Sequence, residues 1–269
     1  NKMLMTGPCI QPDLFDQLIG FRVHKIAFTA DVTKMYRQIN VRDEDQDMQR
    51  ILWRDEPTKE VEIYRLKTVT YGTAPASFQA TRCLKEVANS IREQVPGAAN
   101  AIESNFYMDD LLTGASSVKE AVNLQKTIHE ALLAVGFPLA KYASNCEELL
   151  SQIEGGLVES TKAIDFKCSE SVSILGLKWD PIDDCFKLKI NLEKIDKLSK
   201  KSAMSILSRL YDPIGLAAPV TMQSKTLIQE LWQEKIDWKT TVSPELTQKI
   251  REFYESLIHL NQFSVNRAY

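Results

Sequence analysis

The chain has 269 residues, 44% apolar and 26% charged side chains, and a formal net charge of −3. That is ordinary globular composition with room for one large or two medium domains. It excludes a membrane-spanning segment, since no apolar run approaches roughly 18 residues, and it argues against a surface that is basic throughout. No signal-peptide pattern opens the chain. A start at Asn1 and an end at Tyr269 read as a piece of a longer polyprotein or an incomplete gene frame.

In chain order, His24 to Val32 reads as a buried strand ending in an acid, Asp31. Met35 to Val41 resumes a strand-like pattern. Gln49 to Arg54 and Glu60 to Leu66 alternate as a hairpin around Asp55-Glu56-Pro57-Thr58. Pro75 opens a helix through about Glu93, ended by Pro96-Gly97.

Phe106 to Leu112 is a short apolar run that carries Tyr107-Met108-Asp109-Asp110 and ends at Thr113-Gly114. It reads as strand, tight turn and strand. Two adjacent carboxylates there are a poor structural choice. At roughly 5 Å and an effective dielectric near 20 they repel by about 3 kcal/mol. A polar turn is the bland explanation. A bound cation is the informative one, and paired carboxylates with few other ligands suit magnesium.

Ser117 with Glu120 makes a capping box for a helix that Gly136 closes. Residues 171 to 190 alternate again as a hairpin, and the pattern beyond 190 is helical. Asp212-Pro213 breaks the preceding helix. Leu227, Ile228, Leu231 and Trp232 share one helical face. Leu246, Ile250, Phe253, Tyr254, Leu257 and Ile258 share another, after Ser243-Pro244.

Five cysteines, Cys9, Cys83, Cys146, Cys168 and Cys185, have no metal-knuckle spacing and are odd in number. Free thiols in a reducing, intracellular and cytoplasmic setting fit them. His24, His129 and His259 are isolated and read as structural or surface residues. Residues 187 to 210 carry seven basic and two acidic side chains. They read either as a solvated helical face or as a surface that tracks phosphates, with Lys197, Lys200 and Lys201 as its contacts.

Asp31 with Asp109-Asp110, taken with the other motifs in order, resembles the reverse transcriptase region of a long-terminal-repeat retrotransposon polyprotein of the Bel/Pao type. Those motifs are Leu4 to Pro8, Asp13-Leu14, Phe21-Arg22, Thr68 to Thr73, Ala76 to Arg82, Gly136-Phe137 with Lys141 and Ser144-Asn145, Ile174 to Trp179, and Leu210 to Leu216. They span nearly the whole chain.

The resemblance implies an α+β right-hand polymerase. Its palm is an antiparallel sheet with helices on one face, followed by a helical, thumb-like C-terminal region. Partial fingers and palm are expected over 1–188 and a thumb or connection region over 189–269. It further implies an RNA-directed DNA polymerase that adds deoxynucleoside triphosphates to a primer on an RNA or DNA template.

Asp31, Asp109 and Asp110 would be the catalytic acids, holding two Mg²⁺ ions (Mn²⁺ as a substitute) with the Val32 carbonyl as a further ligand. Tyr36 would lie under the sugar and reject a 2′-hydroxyl. Tyr71, Gly72, Gln79 and Lys141 would contact the nucleotide. Tyr107, Met108, Leu175 and Gly176 would contact primer and template. No ribonuclease H, protease or integrase segment is recognisable, so these are expected elsewhere in the Pol polyprotein. The rival readings are a truncated, inactive nucleic-acid-binding or scaffolding module, and a metal-dependent phosphohydrolase. The latter has no use for Tyr36, the Tyr71-Gly72 turn or the Leu175-Gly176 hairpin.

Overall fold

The computed structural model describes residues 1–153, 157, 172–188, 190 and 197–269. The chain forms two compact units, Asn1–Ile164 and Asp165–Tyr269.

In the first unit, α1 (Leu14–Phe21) begins at Asp13, whose side chain accepts the Phe15 N–H at 2.7 Å. A carboxylate at this position satisfies an orphan donor and suits the helix dipole. β1 (Ile26–Val32) follows. Of the strand expected over 35–41, Met35–Gln38 is instead a 3₁₀ turn, while Asn40 makes an antiparallel bridge to Thr68. Lys34 takes a left-handed φ of +50°, and Arg37 N–H bonds Lys34 O at 2.8 Å. That local bond competes with a ladder and wins.

β2 (Arg50–Trp53) and β3 (Glu62–Arg65) form the expected hairpin, paired from Arg50↔Arg65 to Trp53↔Glu62. α2 (Ala76–Ile91) and α3 (Pro96–Ser104) come next. Pro96-Gly97 does not merely end a helix; it opens α3. Proline costs nothing at a first helical position, where its missing N–H has no partner to lose.

β4 (Phe106–Tyr107), β5 (Asp110–Ala115), α4 (Val118–Ala134), β6 (Leu139–Ser144) and the short α5 (Glu147–Leu150) complete the unit. The second strand of the acidic hairpin runs on through Gly114 to Ala115, past the expected end. Ser117 caps α4 by accepting the Glu120 N–H at 3.4 Å. Gly136 ends it at φ +82°, with Gly136 N–H on Leu133 O at 3.0 Å and Phe137 N–H on Leu132 O at 2.8 Å. This pair of bonds is the usual closure through a left-handed residue.

The sheet order is β4-β5-β1-β6, antiparallel throughout. Phe28, Ala30 and Val32 of β1, Leu111 of β5 and Leu139 of β6 pack with Leu84, Ile102, Ile128 and Leu132 of the helices. Strand side chains alternate between faces. Thr29 and Asp31 therefore point away from this core, which puts Asp31 on the face opposite the α2–α4 layer.

The second unit contains β7 (Val172–Ile174), β8 (Leu177–Asp180), β9 (Cys185–Lys187), α6 (Lys200–Leu207), α7 (Ala218–Gln233), α8 (Pro244–Ser256) and β10 (Ser264–Asn266). The expected hairpin over 171–190 is present as β7–β8, with β9 added. The sheet order is β10-β9-β8-β7, so a strand at the chain terminus joins it. β10 corrects the helical reading of the stretch beyond 190, because the open edge of β9 pairs it into the sheet. Leu227, Leu231, Leu246, Ile250, Phe253, Tyr254 and Leu257 are buried together as their spacing implied. Trp232 and Ile258, expected on those faces, are exposed.

Arg267, with no exposed surface, fastens β10. Its Nε and Nη2 donate to the two Asp184 carboxylate oxygens at 2.6 and 2.8 Å, and its N–H bonds Asp184 O at 2.9 Å. Trp179 Nε1 donates to the same carboxylate at 3.0 Å. Planar two-point pairing favours arginine here over lysine. Arg267→Met is expected to destabilise the second unit by about 3 kcal/mol, because it leaves Asp184 without its main counter-charge. Urea unfolding followed by fluorescence of the buried Trp179 measures it. Loss of less than about 1 kcal/mol would reduce the pair to a surface contact.

Candidate active site

The acidic hairpin turns through Met108-Asp109, with Tyr107 paired to Asp110 across it. Met108 takes φ +58°, a region that glycine normally supplies. A residue held there persists only where its surroundings over-determine it. Gln11 is the main restraint. Its Oε1 accepts the Met108 N–H at 3.0 Å, and its Nε2 donates to Phe106 O at 3.0 Å. Thr81 on α2 donates to the same Oε1 at 3.4 Å. On the other side, Val32 N–H bonds Asp109 O at 2.9 Å. Sequence reading missed Gln11, since a lone glutamine 97 positions from Met108 carries no local signal.

The register of β1 and β5 brings the acids together. Pairing runs from Ile26↔Ala115 to Asp31↔Asp110, so the two carboxylates face each other on one side of the sheet. Asp109 stands exposed in the turn. Burial pushes the Asp31 pKa above the ordinary carboxylate value. The Lys141 ammonium opposes that shift, and the Asp109 charge adds to it. Lys141 Nζ lies 3.3 Å from Asp31 Oδ2. A bulge in β6 makes this contact: the β1–β6 register passes from Thr29↔Ala143 to Asp31↔Ala140, leaving one extra residue on β6. Lys141 sits in that irregularity at φ +55°.

Among the described residues, no three His, Cys, Asp or Glu side chains converge as a ready-made metal cluster. The donor chemistry nevertheless fits magnesium: hard carboxylate oxygens, mutually repelling, with a cation already drawn to them.

Tyr36 and Tyr71, expected at the nucleotide, meet edge to face with ring centroids 5.1 Å apart. The Tyr36 hydroxyl is 3.4 Å from Ser77 Oγ, and the Arg37 guanidinium lies 5.8 Å from the Tyr71 ring centre. Gly72 takes φ +75° with nothing within 4 Å of where a Cβ would stand, so its backbone is open to approach. Gln79 is half-buried on α2.

Leu175 and Gly176 belong to the second unit. They form the two-residue turn of the β7–β8 hairpin with φ of +46° and +91°, the pattern of a type I′ turn. A Cβ on Gly176 would stand 2.5 Å from the Tyr211 ring.

The basic stretch is only partly a surface. Lys197 and Lys201 are exposed. Lys200 is not, which corrects its expected phosphate contact. It is 4% exposed, donates to Ile236 O at 3.1 Å and sits 4.1 Å from the Trp232 ring centre. An ammonium satisfied by a carbonyl and an aromatic face has no reason to leave for a phosphate. Lys187 is likewise engaged, by Asp180 at 2.6 Å and Asp183 at 3.3 Å. Lys189 and Lys194 lie outside the described residues. Of the cysteines, Cys9, Cys83, Cys146 and Cys185 are free thiols, and Cys168 lies outside the described residues. His129 Nδ1 is 3.2 Å from the Tyr142 hydroxyl, an internal role. Among the described residues no helix is long and apolar enough to cross a membrane.

An antiparallel sheet backed by helices on one face, with opposed acids on a central strand and an adjacent hairpin, defines the palm of a right-hand polymerase. Residues 15–177 match the family described as reverse transcriptase (RNA-dependent DNA polymerase). That is more than half of the chain, and the chain belongs to this family. Residues 199–269 match the family described as a Pao retrotransposon-like RNaseH-like domain, which supports a Bel/Pao-type reverse transcriptase domain. This second match corrects the expectation that no ribonuclease H-related segment is recognisable in the chain.

Among solved structures, the chain is similar to the foamy viral protease-reverse transcriptase dRH in complex with double-stranded DNA. The TM-score is 0.58 at 13% identity, covering 99% of this chain and 40% of that one. At that identity the likeness speaks for the fold, and this chain spans less than half of that relative. No curated protein matches it.

Gln11→Met keeps the side-chain length and removes both hydrogen bonds to the hairpin. The expected cost is about 1–3 kcal/mol, the scale for leaving buried polar groups unmade. Amide hydrogen exchange should quicken at Met108 while Leu132, in the middle of the core, keeps its protection. Unchanged exchange at Met108 would show that the turn holds itself.

Proposed function

We propose that the chain carries the polymerising centre of an RNA-directed DNA polymerase within a retroelement Pol polyprotein. It would extend a primer paired to an RNA or DNA template with deoxynucleotides. The observation that carries this reading is the direct cross-strand opposition of Asp31 and Asp110, with Asp109 beside them in a strained turn. A polar turn has no need of three acids on one side of a sheet end.

Asp31, Asp109 and Asp110 would hold two Mg²⁺ ions, with Mn²⁺ as a substitute and the Val32 carbonyl as a further ligand. Such ions stabilise the attacking and leaving oxygens of a phosphoryl displacement. The remaining work falls to the chain. Tyr36, braced by Tyr71, would present a fixed ring beneath the nucleotide sugar. Tyr71 and Gly72 would let template and nucleotide approach the backbone, with Gln79 on the adjoining helix. Lys141 would place positive charge near the leaving phosphates. Tyr107 and Met108 would seat the primer end.

In the second unit, the Leu175-Gly176 turn, Lys197 and Lys201 would grip primer and template phosphates. We read its helices as a thumb or connection region. Protease and integrase activities would belong to the rest of the polyprotein, and so would any ribonuclease H activity beyond the RNaseH-like match at residues 199–269. The free thiols suit an intracellular, cytoplasmic setting.

Within the intact polyprotein enzyme, Asp109→Asn is expected to lower primer extension by roughly 10²–10³, the scale of a lost transition-state electrostatic contact. Circular dichroism should show an unchanged fold. Extension at the parent rate would overturn the polymerase assignment and favour a nucleic-acid-binding module.

Sugar selection gives a second, independent test. Discrimination by a ring rests on a clash built against the wrong substrate. Tyr36→Ala should raise the efficiency for a matched ribonucleotide relative to the deoxyribonucleotide, measured as the ratio of kcat/KM values. An unchanged ratio, with both activities falling together, would leave Tyr36 as a packing residue for Tyr71.

A further inference from the structure

Lys141 deserves a role that its neighbours in sequence do not suggest. Its side chain is 61% exposed and has open water to extend into, yet its ammonium lies 3.3 Å from Asp31 Oδ2, whose side chain is only 21% exposed. The backbone places Lys141 beside Asp31. The β6 bulge supplies one residue more than β1 can pair, and that irregularity holds Lys141 in a left-handed conformation. A non-glycine residue rarely adopts this geometry without restraint. The electrostatics give the reason. Asp31 faces Asp110 across the ladder and feels the charge of Asp109, so its carboxylate needs a cation nearby.

We propose that Lys141 is a built-in counter-ion for the acidic site. It neutralises Asp31 while no divalent ion is bound and competes with that ion for the Asp31 carboxylate, so that a bound ion would displace it. The inference rests on the polymerase reading above and adds to it a control on metal affinity. Because the ammonium is largely solvated, the ion pair is weak and salt-screened. A divalent cation held by several carboxylates therefore displaces it easily. The long flexible stem then leaves the charge free for the phosphates of the substrate.

The test uses Mn²⁺ alone, without nucleotide or primer, titrated into the polyprotein enzyme and followed by paramagnetic resonance of the free ion. Lys141→Met should tighten Mn²⁺ binding about two- to fivefold, the scale of a partly exposed ion pair. Lys141→Asn should do the same, and it suits the left-handed backbone if the methionine variant folds poorly. Lys141→Arg keeps the charge and should bind Mn²⁺ as the parent does. The gain in melting temperature from chelator to Mn²⁺ should be larger for the methionine and asparagine variants. Parent-like Mn²⁺ affinity in both neutral variants would overturn this inference while leaving the metal site intact. Absence of Mn²⁺ binding in every protein, parent included, would overturn the metal site and this inference together.

Discussion

The pairing of β1 with β5 is the constraint on which the candidate active site depends. Six consecutive antiparallel pairs, from Ile26↔Ala115 to Asp31↔Asp110, fix which side chains face the helical core and which face outward. The side-chain period of a strand is two, so a slip by one residue would move every side chain to the other face. It would carry Asp31 in among Phe28 and Val32 and remove the opposition of acids. Close approach enforces the register. A Cβ on Gly114 would stand 2.1 Å from Ile26 O, so only a glycine lets β5 pass β1 at that point.

Around this fixed pair the protein stores irregularity beside the acids. Met108 and Lys141 both take positive φ, one in the hairpin turn and one in the β6 bulge. Each lies on one side of the acids, and each is held from outside its own strand. The N-terminal segment contributes through Gln11, and it is itself seated by Gly7, where a Cβ would come within 2.5 Å of the Phe78 ring on α2. Residues far apart in sequence thus converge on a two-residue turn. The free energy that holds Met108 in place comes from the polar groups and packing of the surrounding unit.

Charge in this chain is spent in two ways, and burial separates them. Asp184 with Arg267, Asp180 with Lys187, and Lys200 between Ile236 O and the Trp232 ring are internal pairings of the second unit. Their polar atoms have partners, so they hold structure and are unavailable to a ligand. Asp109 and Lys141 are different. Both are exposed, and the charge of Asp109 bears unfavourably on the Asp31 carboxylate beside it. A site that carries unfavourable charge toward solvent is one that a ligand of opposite sign can relieve.

Much of this was legible in the sequence. The acidic hairpin, the acid-ended strand before it, the capped helix between Ser117 and Gly136 and the β2–β3 hairpin all follow from local rules: alternation, helix caps and turn residues read over a few positions. The family likewise followed from motifs in order. Other features were decided only in three dimensions. Met35 to Val41 looks like a strand, but a left-handed Lys34 and one short-range hydrogen bond turn it. Pro96-Gly97 looks like a stop and is also a start. Lys200 sits in a basic run and is buried by two tryptophans more than thirty residues away. β10 exists because β9 offers an edge and Asp184 gives the Arg267 guanidinium a carboxylate to bind. The clamp of Gln11 and the bulge that brings Lys141 to Asp31 are contacts between distant segments. The identity and order of the candidate acids are legible in sequence alone, because those are local patterns. Their register, burial and counter-charges are properties of pairs of segments, and only folding determines which segments meet.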